Sequence, residues 1–177
     1  MTIPKFLLGN LCNFTQGIQI PASETIKSKT KGYIRYLYIR DFFTDKFQVF
    51  VENKYPNKIL STNDIVMVNT GATAGVVYRG KEGVLCNNAF KIHIKVNQKN
   101  RLDREYLWHY LNSEEKDRLL KKLFNNAGQP HVGHGNVARL MIPLPPLPEQ
   151  RKIAEILSTW DEAIAKTEQL IEALRQR

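Results

Sequence analysis

Ile142-Pro-Leu-Pro-Pro-Leu-Pro-Glu-Gln-Arg-Lys-Ile153 is the stretch whose reading decides the architecture. Pro143, Pro145, Pro146 and Pro148 fix φ and remove backbone donors, which makes a stiff extended strap that cannot join a sheet interior. Pro148 suits a first helical position, and Glu149 favours the positive end of the helix that follows. From there the apolar residues fall at Ile153, Leu157, Trp160, Ile164, Ile171 and Leu174, with Thr167 filling one place in a 4-3-4-3-4-3 spacing. That is a coiled-coil seam, widened by Ile156 and Leu170. A helix from Glu149 to Arg177 is a rod of about 45 Å, whose apolar stripe has to meet another helix. No earlier stretch offers one of that length, so the mate is expected in a second chain or in another part of a longer one.

The 177 residues suffice for one domain with an appendage, and 42% hydrophobic content marks a folded protein. No run approaches a membrane span, and the expectation is a cytoplasmic protein. Cys12 and Cys86 stand far apart and read as two reduced thiols. The formal net charge is +9, and its distribution is uneven. From Glu149 onward five basic and six acidic residues nearly cancel, whereas the preceding part carries 21 basic and 11 acidic residues. A cationic body on a neutral rod suits a nucleic-acid reader with a separate assembly element.

The chain before the strap reads as strands, then helices. Residues 5–20 form short apolar runs punctuated by Gly9 and Gly17, read as strands and turns. A polar loop, Lys27 to Gly32, feeds a strand over Tyr33 to Arg40, ending at Asp41. Asp64 to Val68 is a buried strand, Asn69 to Gly75 a small-residue loop, Val76 to Tyr78 a return strand, and Gly80 to Gly83 a turn. Ala89 to Val96 alternates, with Phe90, Ile92, Ile94 and Val96 on one face and Lys91, His93 and Lys95 on the other. Asp103 caps a helix to about Asn112, and Ser113 caps another bearing Leu119, Leu120, Leu123 and Phe124, stopped by Asn125 to Gly128. Gln129 to Asn136 reads as a loop. The fold class is α+β: a mixed or antiparallel β-rich domain with small helices, followed by a long C-terminal coiled-coil helix. The expected boundaries are residues 1–142, 143–148 and 149–177.

Familiar chemical motifs fail on their surroundings. Gly75 to Lys81 matches the first seven positions of a P-loop, but Glu82 stands where Ser or Thr would bind Mg²⁺, and a strand-like run follows instead of a helix. Gly133-His-Gly135-Asn-Val-Ala138 imitates a dinucleotide fingerprint, yet a polar loop precedes it. His131 and His134 lack neighbouring thiol or carboxylate partners for a metal. The P-x-x-P spacings in the strap fit an adaptor-domain ligand less well than a structural collar. No catalytic constellation and no Asn/Asp-Pro-Pro-aromatic tetrapeptide of amino-methyltransferases occurs. Neither an active site nor a cofactor is implied.

Pro143 to Ala154, followed by Leu157 and Asp161, resembles the junction between recognition domain and helix in specificity subunits of type I restriction-modification enzymes. Asn63 to Val68 with Gly71 to Gly75, then Asn87-Asn88, Tyr106-Leu107, Leu111-Asn-Ser113 and Gly128 to His131, resemble further patterns of that family in the expected order. The resemblance implies a non-catalytic subunit that reads half of a bipartite duplex site and docks separate methyltransferase and restriction subunits. The family's usual two recognition domains and two antiparallel helices are reduced here to one of each. That departure implies a half-length subunit acting as a homodimer or a fragment of a full one, and the lack of Gly or Asn after Leu174 suggests a helix cut at Arg177.

The expected dimer seam is Ile153, Leu157, Trp160, Ile164, Ile171 and Leu174. Expected DNA contacts fall in three groups, drawn from residue types that bond to phosphates or base edges. These are the basic loop (Lys27, Lys29, Lys31, Arg35), the glycine loop and its exit (Thr70, Thr73, Arg79, Lys81), and the late loop (Gln129, His131, His134). Between Lys27 and Arg40 five cations occur with no acid. Tyr33, Tyr36 and Tyr38 fit a strand core better than base stacking. Two other readings are a recognition fragment of a single-chain methyltransferase-endonuclease and a coiled-coil module whose basic domain binds protein.

Overall fold

The computed structural model describes residues 3–123 and 131–176. In chain order these hold β1 (Lys5–Leu7), α1 (Leu8–Leu11), β2 (Cys12–Gln16), β3 (Tyr33–Leu37), β4 (Val49–Glu52), β5 (Ile59–Leu60), β6 (Ile65–Val68), β7 (Val77–Tyr78), β8 (Gly83–Leu85), β9 (Ala89–Ile94), α2 (Arg104–Leu111), α3 (Glu114–Leu123), α4 (His134–Ala138), β10 (Met141–Pro143) and α5 (Leu147–Arg175). One sheet runs β2-β9-β6-β7, all antiparallel. A second runs β4-β3-β8-β5, in which only β3 and β8 are parallel. The α+β class with a long terminal helix is therefore as the sequence reads.

Burial explains the strand patterns. Ile65 and Met67 of β6 face a core shared with Leu107 and Leu111 of α2, while Val66 faces Leu37, Leu60 and Leu85 of the other sheet. A strand covered on both sides has no polar face, hence its unbroken apolar run. Phe90 and Ile92 of β9 enter the α2-side core, but the strand stops at Ile94, and Val96 is 85% exposed in a short 3₁₀ turn. The alternation overreaches because Lys95 turns away, donating its main-chain N–H to Leu11 and its ammonium to the Gly9 carbonyl. Likewise the strand from Tyr33 ends at Leu37, and a 3₁₀ turn over Ile39–Phe42 follows. Gly9 lies in the single helical turn α1 that joins β1 to β2.

Asp103 caps α2 by accepting from the main-chain N–H groups of Glu105 and Tyr106, at 2.9 and 3.1 Å. Ser113 Oγ accepts from Lys116 N at the start of α3. Residues expected as loop at 134–136 begin a five-residue helix, α4. The strap enters as the edge strand β10, paired only with β1, which suits its prolines. Helix α5 begins one residue earlier than expected, at Leu147, so Pro148 is its second residue and still inside the turn that needs no donor.

Among the described residues the contacts of α5 with the rest of the chain fall in its first half. Gln150 is fully buried and Ala154 nearly so. The Gln150 amide donates to the carbonyls of Arg101 and Pro145, and its oxygen accepts from Asp103 N. Arg151 lies 3.8 Å from the Asp103 carboxylate, and His109 meets both Ser158 Oγ, at 3.0 Å, and the Asp161 carboxylate, at 3.8 Å. Residues 159–176 are exposed throughout, and Trp160, Ile164 and Leu174 keep 66%, 54% and 59% of their surface in solvent.

Candidate nucleic-acid interface

The three groups of expected DNA contacts are rearranged by the fold. The glycine loop and the late loop form one surface: Thr70 and His131 make an isolated antiparallel bridge, Thr70 Oγ1 lies 3.4 Å from His131 Nδ1, and Val132 N donates to Asn69 O at 2.7 Å. Lys116, 3% exposed, reaches across from α3 to the Gly75 carbonyl at 3.0 Å and anchors the end of the glycine loop. Gly71 and Gly75 adopt φ of +96° and +92°, so this loop requires glycine at both places. Thr70 and Thr73 remain exposed on it. Gln129 lies outside the described residues.

His134 points the other way. Its ring stacks on Phe14 and meets Phe90 edge-on, with centroids 6.1 and 4.6 Å apart, and Nε2 is buried without a partner among the described residues. Burial, with help from the charge of His131, holds its pKa below the usual histidine value. Helix α4 turns the ring toward Phe14 and Phe90, so of this pair His131 is exposed and His134 is half-buried.

The basic loop divides in the same way. Lys27, Lys29 and Lys31 are exposed, and none has a carboxylate within ion-pair distance among the described residues. Arg35 instead bonds to the fully buried Asp41 at 2.8 Å and to Asp45. The acid-free run of cations stops one residue short of Asp41, which the 3₁₀ turn folds back onto Arg35. Asp45 also accepts from Lys81 at 2.9 Å, which ties Lys81 to Arg35. Hydrogen bonds from Lys81 and then Arg35 hold the Asp45 carboxyl below its ordinary pKa. Arg79 bonds Glu105 at 2.6 Å, and its guanidinium lies 4.3 Å from the centre of the Trp108 ring. Arg35, Arg79 and Lys81 are thus engaged within the protein. Tyr36 is a core residue whose hydroxyl donates to Ile18 O, and burial pushes its pKa up to about 12.

A feature with no clear sequence signal lies beside the basic loop. Lys27, Lys29, Arg40, Lys46, Phe47 and Gln48 line an open groove of about 640 Å³, in which Asp45 is the only acid. Its parts come from residues 27–29 and 40–50, joined where Ile26 bridges Phe50 of β4. Phe47 is 62% exposed at its edge.

Elsewhere the structure offers little chemistry. Cys12 and Cys86 are buried free thiols; burial pushes Cys12 up to about 12 and Cys86 upward too, so neither is an available thiolate. The P-loop-like run from Gly75 enters β7 and β8 with no helix to cap a phosphate. Among the described residues no three His, Cys, Asp or Glu side chains gather as a metal site, and no helix is long and apolar enough to cross a membrane.

A family model described as the type I restriction modification DNA specificity domain matches residues 3–176. The specificity subunit of the type I restriction enzyme MjaVIII of Methanocaldococcus jannaschii is 36% identical over 155 residues, covering 85% of this chain and 34% of that one. A putative type I restriction enzyme MjaX specificity subunit from the same organism is 27% identical over 164 residues, covering 90% and 37%. The chain thus spans about a third of the length of the curated relatives it matches. Among solved structures, the HsdS subunit from Thermoanaerobacter tengcongensis superposes with a TM-score of 0.67 at 19% identity, over 92% of this chain and 38% of that one. The S subunit of a type I restriction-modification system from M. genitalium gives 0.67 at 18% identity, over 99% and 43%. At these identities the structures speak for the fold alone.

Proposed function

The chain belongs to the type I restriction modification DNA specificity domain family, and from that premise we propose that it is a non-catalytic recognition unit reading one half of a bipartite duplex site. In this reading residues 1–142 read DNA, 143–148 act as a collar, and 149–177 form the spacer and assembly helix. Methylation and cleavage belong to methyltransferase and restriction subunits that dock on the assembled unit, in the cytoplasm. The observation that carries the proposal is the separation of two surfaces. A cationic head keeps Lys27, Lys29 and Lys31 unpaired among the described residues, while Trp160, Ile164, Leu170, Ile171 and Leu174 of α5 form an apolar ridge left open to solvent.

The ridge has a polarity that favours one arrangement. With Leu157, Ile164 and Ile171 at a positions and Ile153, Trp160, Thr167 and Leu174 at d, the g positions are Ile156, Ala163 and Leu170, and the e positions include Asp161 and Glu168. A parallel pair sets each g beside an e of its mate, so Ile156 meets Asp161, Ala163 meets Glu168 and Leu170 meets Arg175. An antiparallel pair sets g beside g, burying Ile156 against Leu170 and Ala163 against its copy, and leaves Asp161 near Glu168 only on the solvent-exposed e side, where repulsion is worth a few tenths of a kcal/mol. A second copy of this helix, or its counterpart in a longer chain, therefore mates head to tail and leaves two basic heads at opposite ends. Two such heads read half-sites separated by a fixed spacer.

Duplex binding measured against salt tests the reading. Alanine at Lys27, Lys29 and Lys31 together should weaken binding to every sequence and lower the slope of log K against log salt by up to about 2.7, at about 0.9 per phosphate contact. Unchanged affinity and slope would remove the basic loop from the interface. No binding by the unaltered chain at low salt would sink the reading itself.

A further inference from the structure

We infer that Arg40 is a base-reading residue, which the Tyr38 and Phe47 rings aim from the groove at a guanine edge of the duplex. The inference rests on the DNA-recognition reading above and deepens it. Three independent features of the groove point to this ligand.

The first is charge. Lys27, Lys29, Arg40 and Lys46 line one concavity, and its single carboxylate, Asp45, is already bonded to Arg35 and Lys81. Arg40 has no carboxylate within ion-pair distance among the described residues. Cations left unneutralised around a groove suit a polyanion, and a duplex supplies charge at that density.

The second is orientation. The Arg40 guanidinium lies 4.8 Å from the Tyr38 ring centre and 5.8 Å from that of Phe47. Two aromatic rings restrict a long side chain that would otherwise sample many rotamers, so less entropy is lost when its fork engages a ligand. The planar fork matches O6 and N7 of guanine in a bidentate pair. Tyr38 is fixed in turn, since its ring packs edge-on against the core residue Tyr36 at 4.9 Å and its main-chain N–H donates to the buried Asp41.

The third is the exposed ring. Phe47 leaves 62% of its surface in water at the rim of this cationic groove, where burial in a partner would be favourable. A thymine methyl or an opened base step is an apolar surface inside an otherwise charged ligand. Gln48, next in sequence and also lining the groove, offers an amide to a neighbouring base or phosphate.

The test uses the whole chain, a randomised duplex pool and binding titrations across salt, on the unaltered protein and on R40K, R40A and K27A/K46A. R40K keeps the charge but not the fork. It should bind random duplex nearly as well as the unaltered chain, yet lose the preference for guanine at one position by roughly 5- to 150-fold, the range of one bidentate pair. R40A should lose that preference and some affinity. K27A/K46A should keep the preference while its salt slope falls. If R40K and R40A select the same sequences as the unaltered chain, the assignment is overturned, although salt-dependent binding would leave DNA recognition standing. If the unaltered chain binds no duplex, both fall together.

Discussion

Gln150 in the first turn of α5 donates at 2.7 Å to the main-chain carbonyl of Arg101, just before α2. With its bonds to Pro145 O and Asp103 N, this buried amide fixes where the long helix leaves the head. The angle of that exit sets where a second head would stand, so the residue carries architecture as well as stability.

Gln150→Leu keeps the volume and removes the bonds, leaving two carbonyls and one N–H buried without partners. Unsatisfied buried groups cost about 1 to 3 kcal/mol each, with partial relaxation, so a loss of roughly 3 kcal/mol is expected. Thermal unfolding should then shift down by several degrees. An unchanged melting temperature would mean that the collar is held by its prolines alone.

Arg35 and Asp41 form a largely buried pair, and burial opposes the guanidinium's charge while bonds to Asp41 and Asp45 raise its pKa above the ordinary value. Removing one partner strands a buried charge. Arg35→Met should cost on the order of 3 kcal/mol in denaturant unfolding, and R35M/D41N should cost less than the sum of the single changes. If R35M instead folds as stably as the unaltered chain and loses duplex affinity, Arg35 is a DNA contact after all.

His134 predicts the acid side of the stability curve. Its pKa is depressed in the folded protein, so between the folded and unfolded values the unfolded chain binds more protons. Stability from this site is full above about pH 6.5 and declines as pH falls through that value toward the folded pKa. His93, depressed by burial and by Lys91, acts in the same direction. His134→Phe keeps a ring against Phe14 and Phe90 and should flatten the loss of melting temperature between pH 7 and pH 5; an equal loss in the variant would exclude the site.

The elements legible in the sequence are those whose pattern is long or punctuated by caps. The ridge of α5, the apolar run Ile65–Val68 and the Asp103 cap are local signals, and the fold keeps them. Residues 42–63 show no element in their sequence, because β4 and β5 have four and two residues and too few periods to read. Site residues were less legible for a different reason. A cation's availability depends on acids brought in by folding: Asp41 reaches Arg35 through a turn, Asp45 reaches Lys81 across 36 positions, and Glu105 reaches Arg79 across 26. The rings around Arg40 and the inward turn of His134 are likewise products of packing.

Closure of the α5 ridge by a second helix of its own kind is measured by sedimentation equilibrium of the chain. With increasing concentration the unaltered chain should approach twice 20.4 kDa, whereas L157E/I164E should stay at 20.4 kDa with the melting temperature of its head unchanged, both positions being exposed in the single chain. A monomer at every concentration, or a dimer that survives both charges, would contradict the account.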